Sequence, residues 1–293
     1  MYKSFRIIND FVKDVWGFDL IKKSINPSIV RIEELKNAHK AIMDIICNQR
    51  KPFPNAFVKY VYPLLEVSVQ WAELKKKGKL TKAFLEKCKQ KFNPPKRETF
   101  YGTLFEIDIV SRCLLSNWDV DFVEDLTREG EQQIDFVFRK KNEVIGVECL
   151  SKRYTQKYGN LTIDKINEDI KKKARKFRPE FIKELGHPLD KKLLIIDITT
   201  DDYSQPKILN NLERGVSLGG KLDGVVFTWR EDVTDGKNHS LRAKYKILGN
   251  IDKRYFSVTY AAEFRITSGG PVFFMRKYVE PEPKVIVGSE ETK

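Results

Sequence analysis

Two acidic residues, Asp135 and Glu148, lie in segments that are otherwise apolar and are predicted to form β-strands. Asp135 stands in the run Ile-Asp-Phe-Val-Phe, and Glu148 in the run Val-Ile-Gly-Val-Glu-Cys-Leu. An unpaired carboxylate is costly to bury in such a strand. A divalent cation would remove that cost, because hard cations take oxygen ligands. The pair therefore predicts a site for Mg²⁺ or Mn²⁺.

A third acidic residue, Glu106, precedes them on a predicted helix. From residue 98 onward, apolar residues recur every three or four positions, which indicates one buried helix face. Glu106 lies beside that face, so a surface glutamate is one interpretation and a site residue is the other. Three short strands are predicted after this helix, over residues 118–123, 134–138 and 144–150. The order of helix, Asp135 strand and Glu148 strand favours the site.

This order resembles the PD-(D/E)xK nuclease superfamily, which has the restriction-endonuclease-like fold. In that superfamily a helix with a glutamate precedes three antiparallel strands, an aspartate opens the second strand, and an acidic residue lies on the third. The resemblance covers residues 98–229 and matches Glu106, Asp135 and Glu148 by position. It implies phosphodiester hydrolysis with Mg²⁺ or Mn²⁺ held by Asp135, Glu148 and the backbone carbonyl of Cys149. Glu106 would bind this metal, bind a second one or order a metal-bound water.

The superfamily also has a lysine two residues after the acidic residue of the third strand, where this sequence has Leu150. Lys152 follows two residues later. Alternate residues of a strand share a face, so Glu148, Leu150 and Lys152 point the same way. Lys152 is therefore predicted to orient the attacking water and to offset charge on the phosphate. An ordinary lysine at a strand end is the equal alternative.

A basic helix predicted over residues 162–178 is the strongest candidate surface for a polyanion. The chain has a formal net charge of +13, which favours nucleic acid as a partner. Like charges crowded on one helix repel unless an anion approaches, although a solvated helix face is the plainer interpretation. The predicted nucleic-acid contacts are Lys171, Lys172, Lys173, Arg175, Lys176 and, in the preceding loop, Arg153.

Helices and strands alternate after the third strand, which predicts an α/β fold with a mixed central sheet. By the resemblance, its core has the order αβββαβ. Four regions are predicted: an N-terminal helical region (1–95), the nuclease-like core (96–230), a C-terminal β extension (231–279) and a disordered tail (280–293).

Several other classes of protein have no support in the sequence. The four cysteines show no C-x-x-C spacing, so a zinc site is not expected and a reducing cytoplasm fits. No apolar run reaches the length of a membrane span, so no membrane partner is predicted. The three histidines, His39, His187 and His239, lie in separate segments and none has metal-ligand spacing, so a histidine metal site is not expected.

The sequence therefore predicts a cytoplasmic, metal-dependent endonuclease, with DNA favoured over RNA and a restriction or defence role suggested by the superfamily. One alternative is a nucleic-acid-binding module with a decayed nuclease site, because Leu150 occupies the lysine position. Another is a structural or protein-interaction role for the helical region. A homodimer is left open.

Overall fold

Eight β-strands form one mixed sheet whose strand order follows the chain. The computed structural model describes residues 3–22, 32–48, 57–91, 97–122, 134–140, 142–153, 161–177, 188–235, 238–251, 258–267 and 270–279. The strands are β1 (Asp119–Phe122), β2 (Phe136–Lys140), β3 (Glu143–Ser151), β4 (Lys191–Asp197), β5 (Gly224–Asp235), β6 (Asn238–Gly249), β7 (Val258–Thr267) and β8 (Gly270–Val279).

The sheet changes from antiparallel to parallel and back. Strands β1, β2 and β3 pair antiparallel, β3, β4 and β5 pair parallel, and β5 to β8 pair antiparallel. Parallel neighbours need a crossover connection, and a helix lies in each of the two connections, β3 to β4 and β4 to β5. The carboxyl ends of three parallel strands therefore meet at one edge of the sheet.

Seven α-helices lie in the described ranges, together with a π-helical turn at Phe57–Val61. They are α1 (Lys3–Trp16), α2 (Glu33–Asn48), α3 (Tyr62–Lys76), α4 (Lys82–Lys91), α5 (Arg97–Leu115), α6 (Ile163–Ala174) and α7 (Leu209–Gly215). None of these described helices combines the length and the apolar character that crossing a membrane requires.

The alternation of side chains along β3 divides the molecule into two hydrophobic clusters. Ile145, Val147 and Cys149 pack with side chains of α1 to α5. Val144 and Leu150 pack with the apolar sides of α6 and α7. Helices thus cover both faces of β3, and neighbouring residues of the strand face different helices.

The predicted α/β class and mixed sheet are confirmed, whereas several boundaries differ. Strand β5 extends to Asp235, beyond its predicted end at 229, because it pairs with β6 along its whole length. Strands β6 to β8 continue the central sheet, and the helices before residue 95 share a hydrophobic cluster with β3. The predicted tail, residues 280–293, lies outside the described residues. The domain limits remain predictions.

Candidate functional site

The antiparallel register of β2 and β3 brings Asp135 to the Glu148 position. Phe136 is paired with Val147, so Asp135, one residue earlier, is the neighbour of Glu148. The Asp135 backbone N–H donates to the carbonyl of Val147 at 3.1 Å. One oxygen of its carboxylate, Oδ2, accepts the backbone N–H of Cys149 at 2.7 Å. Asp135 is therefore fixed against β3 by both its backbone and its side chain.

The Glu148 carboxylate is fully buried, on the face of the sheet that α6 covers. Its Oε1 accepts hydrogen bonds from the ammonium groups of Lys173 and Lys176, the second at 2.6 Å. Its Oε2 is buried and has no hydrogen-bond partner among the described residues. Burial, followed by the nearby Asp135 carboxylate, raises the pKa of Glu148 to about 7, although both lysines act to lower it. One oxygen of this carboxylate thus stands ready for a proton or a cation.

The spacing of the apolar residues along α6 directs the side chains of Lys173 and Lys176 toward the sheet. The Thr162 hydroxyl caps the helix by accepting the Lys165 backbone N–H at 3.3 Å. Ile166, Ile170 and Ala174 are buried against the sheet. Lys173 and Lys176 flank this apolar stripe and are only partly exposed. Lys171, Lys172 and Arg175 are exposed.

The ion pair also affects Lys173. Burial lowers the pKa of its ammonium group, but the Glu148 carboxylate more than offsets that effect, so the pKa lies above its ordinary value. Two of the five basic residues predicted on this helix to bind nucleic acid are therefore already paired with a buried glutamate. The other three remain at the surface.

Lys152 lies on the same side of the sheet as Glu148, as the alternation predicts, but it has a different partner. Its ammonium group pairs with Asp169 of α6. Its backbone N–H donates to the Asp197 carbonyl at 2.8 Å, which holds the end of β3 against β4. The structure therefore gives Lys152 a carboxylate partner on α6, one helical turn before Lys173.

The other two predicted cation ligands have different surroundings. In an extended strand, the N–H and C=O of one residue point to the same edge. The Cys149 N–H bonds Asp135, so the Cys149 carbonyl also faces the Asp135 side. Glu106 is half-buried on α5, and α5 packs on the face of β3 opposite to α6. The role of Glu106 remains a prediction.

The residues around Glu148 offer the oxygen donors that a divalent cation prefers, but they supply fewer side-chain ligands than a complete metal site. Within the described ranges, no group of three or more His, Cys, Asp or Glu side chains is arranged to hold a metal ion. However, Mg²⁺ keeps several waters and is commonly bound through one or two carboxylates. Asp135, the buried Oε2 of Glu148 and the Cys149 carbonyl supply oxygen donors of that kind.

Arg153 does not join the lysines of α6, which corrects its predicted place in that basic surface. The residue after Lys152 points to the opposite face, and its side chain is only 7% exposed. Its guanidinium lies 5.0 Å from the ring centre of Tyr101 and 4.8 Å from that of Tyr203. It also donates a hydrogen bond to the Tyr203 hydroxyl. Arg153 therefore belongs to a separate site.

That site is a small cleft, about 40 Å³ in volume, between the sheet and helices α3 and α5. Arg153 follows β3, Asp197 ends β4, Thr199 follows it, and Arg230 lies on β5, so the cleft opens at the carboxyl ends of the parallel strands. The other residues that line it are Tyr62, Pro63, Glu66, Val67, Tyr101, Leu104, Phe105, Asp108 and Tyr203.

Arginines balance two of the carboxylates along this cleft. Arg230 donates to Asp108 at 2.5 Å and to Glu66 at 3.1 Å. Arg112 donates to the same two carboxylates, at 2.9 Å and 2.8 Å. Burial alone would raise the pKa of Asp108, but the two guanidinium groups hold it below its ordinary value. These four side chains join α3, α5 and β5.

The sequence prediction missed the cleft, although one signal was present. Asp197 ends a nearly continuous apolar run, as Glu148 interrupts another, and both acidic residues are buried. The charged and polar residues that line the cleft with Asp197 include positions 66, 108, 153, 203 and 230. No short motif connects positions so far apart in the chain.

No protein-family model, curated protein or solved structure matches this chain.

Proposed function

We propose that this protein is a divalent-metal-dependent nuclease that hydrolyses phosphodiester bonds, with DNA as its substrate. The observation that carries the proposal is the buried Glu148 carboxylate, which lies beside Asp135 with one oxygen unpartnered among the described residues. Buried polar atoms are rarely left without a partner, and such exceptions often mark an ion or a catalytic role. The order α5-β1-β2-β3-α6-β4 supports the superfamily resemblance from which the substrate class comes.

In this proposal Asp135, Glu148 and the Cys149 carbonyl hold Mg²⁺ or Mn²⁺, with Glu106 as a further candidate. The cation supplies polarisation of the scissile phosphate and a lowered pKa of water. The backbone N–H of Cys149 orients the Asp135 carboxylate. Lys173 and Lys176 keep positive charge at the other oxygen of Glu148. Lys152, the lysine predicted from the sequence, lies on the same side of the sheet but pairs with Asp169.

The exposed residues of α6 support nucleic acid as the partner. Lys171, Lys172 and Arg175 form a surface of three cations on the helix that also contacts Glu148. Basic side chains that neutralise phosphates make binding fall with salt, by a slope of roughly 0.9 per phosphate on duplex DNA. Replacing all three by Gln should lower the magnitude of this slope by about two to three. The same change at Lys75, Lys76 and Lys77 is the matched control.

A second candidate function is a nucleic-acid-binding module with a decayed nuclease site. It is favoured by the two lysines that already occupy Oε1 of Glu148 and by Leu150 at the lysine position of the motif. In that case the lysines neutralise the buried carboxylate permanently.

A cleavage assay separates the two functions. Plasmid, single-stranded DNA and RNA are incubated with wild type and Asp135→Ala, with Mg²⁺, Mn²⁺ or EDTA. A nuclease should cleave at least one substrate only with metal, and Asp135→Ala should lower its rate by about 10³-fold or more. Asp121→Ala, which removes a carboxylate from β1, is the control. Binding without metal-dependent cleavage would support the decayed module, and equal cleavage by Asp135→Ala would disprove this site.

A further inference from the structure

The cleft at Arg153 lies at the same edge of the sheet as Glu148 but on the other face. Its residues come from the carboxyl ends of β3 and β4, from β5 just beyond its parallel pairing with β4, and from the covering helices α3 and α5. Ligands of α/β sheets commonly bind outside the carboxyl ends of the strands. The position of the cleft is therefore suitable for a ligand that is distinct from the proposed substrate of Glu148.

Arg153 is a buried cation that forms no ion pair with a described residue. It is 93% buried, and no carboxylate among the described residues forms an ion pair with it. Its guanidinium contacts the rings of Tyr101 and Tyr203 and donates to the Tyr203 hydroxyl. A buried charge is costly unless it is paired, and tyrosine rings offset only part of that cost. The Asp197 carboxylate acts on the guanidinium through its charge, but no carboxylate of the described residues is in ion-pair contact with it.

The carboxylates that line the cleft are already bound to other donors. Glu66 and Asp108 accept from Arg112 and Arg230. Asp197 accepts the backbone N–H of Thr199 at 3.1 Å and its hydroxyl at 2.6 Å. A guanidinium has five N–H donors, and among the described residues Arg153 uses one of them, to the Tyr203 hydroxyl. Arg153 also lines the cleft, so its other donors are available to a ligand there.

The size of the cleft limits what can enter it. A cavity needs a volume of about 10–15 Å³ for each water that it holds. The cleft, at about 40 Å³, therefore has room for about three waters. A single carboxylate or phosphate group has a comparable size, whereas a nucleobase is too large. Tyr203 has a positive φ of 56°, which is unusual for a bulky residue, and such strain is concentrated at ligand sites.

We propose that this cleft binds a small oxyanion, a phosphate or carboxylate group, through the guanidinium of Arg153. A guanidinium matches both groups because its donors form a planar fork that can hold two oxygens at once. The proposal does not depend on nuclease activity.

Thermal unfolding of the full chain tests the site, with sodium phosphate and sodium acetate each compared against sodium chloride at equal ionic strength. A ligand that binds only the folded state raises Tm in a saturable way. Phosphate, acetate or both should do so for wild type, and the tighter of the two identifies the group that the cleft prefers. Arg153→Met should weaken that binding by about tenfold or more, since a charge-assisted pair is lost.

Arg214→Met, at the surface of α7, is the matched control and should bind as wild type does. If Arg153→Met does not fold, the arginine Nε–H NMR signals of wild type give the same answer, because one slowly exchanging signal should shift with the anion. Absence of any saturable effect beyond chloride would overturn the proposal. So would equal binding by Arg153→Met.

Discussion

The protein contains two buried charge clusters, and they are built differently. Around Asp108, both carboxylate oxygens receive hydrogen bonds from arginine, and Gln70 donates to one of them at 2.5 Å. Around Glu148, two lysines bind one oxygen, and the other oxygen has no partner among the described residues. The pKa of Asp108 is lowered, whereas that of Glu148 is raised to about 7.

The difference teaches how burial can serve either stability or chemistry. Arginine presents a rigid fork that satisfies a carboxylate bidentately, whereas lysine is a point charge on a flexible stem. The Asp108 cluster therefore joins α3, α5 and β5 with both oxygens of its central carboxylate bonded. The Glu148 cluster keeps a carboxylate oxygen available and movable cations beside it, which is what a site for a metal or a proton requires.

The largest effect on stability is expected at the completed cluster. Arg230→Met removes one of the two arginines that neutralise Asp108 and Glu66, and breaking a buried pair typically costs about 3–5 kcal/mol. Urea unfolding should show a loss of that size, while the exposed control Arg175→Met should change the free energy of unfolding by less than about 0.5 kcal/mol. A loss below about 1 kcal/mol for Arg230→Met would contradict the structural role.

A somewhat smaller change in the free energy of unfolding is expected when the pH is varied through the pKa of Glu148. The folded-state pKa, about 7, lies above the ordinary value of 4.5, so between these values the folded protein binds more protons than the unfolded chain. The resulting stability is fully present below about pH 4.5 and is lost as pH rises through about 7. It amounts to about 3 kcal/mol at most.

Unfolding of wild type and Glu148→Gln, measured from pH 4.5 to 8, isolates this contribution. The free-energy difference between the two proteins should change over that range by up to the same amount and then level off. A constant difference would show that Glu148 keeps an ordinary pKa.

The smallest expected effects are on the cleavage rate, and they show which lysine takes part in cleavage. Lys173 contacts Glu148, whereas Lys152 pairs with Asp169. We therefore expect Lys173→Ala to lower the single-turnover cleavage rate by about 10²-fold, a typical loss for one charge-stabilising group. Lys152→Ala should lower it by less than about tenfold, and Lys172→Ala should not change it. The reverse order of Lys152 and Lys173 would restore Lys152 to the role that the resemblance implies.

Much of the fold could be predicted from local patterns. The apolar run of β4, the alternation in β3 and the capped, periodic helix α6 are set by neighbouring residues. The alternation also placed Lys152 on the Glu148 side correctly. The inward direction of Lys173 and Lys176 was available in principle, since both flank the apolar stripe of α6. It was missed because a run of lysines was interpreted as one surface.

The cleft could not be predicted in the same way. Its charges come from α3, α5, β5 and the segments after β3 and β4, and these elements meet only through tertiary packing. The place of Arg153 depends on the face to which the chain turns after β3. The sequence does not reveal that Tyr101 and Tyr203 would enclose its guanidinium.

The alternation of side chains at the end of β3 limits how many residues can separate Glu148 from Lys152. Lys152 comes four positions after Glu148 and lies with it on the α6 side, whereas Arg153, five positions after Glu148, enters the cleft. Deleting one residue between Glu148 and Lys152 would exchange these directions, because a one-residue slip sends every side chain to the other face. The arginine would then meet Asp169, and the lysine would take the place of Ser151, beside Asp197. Two consecutive residues thus make this segment intolerant of a change in length, even where individual substitutions are accepted.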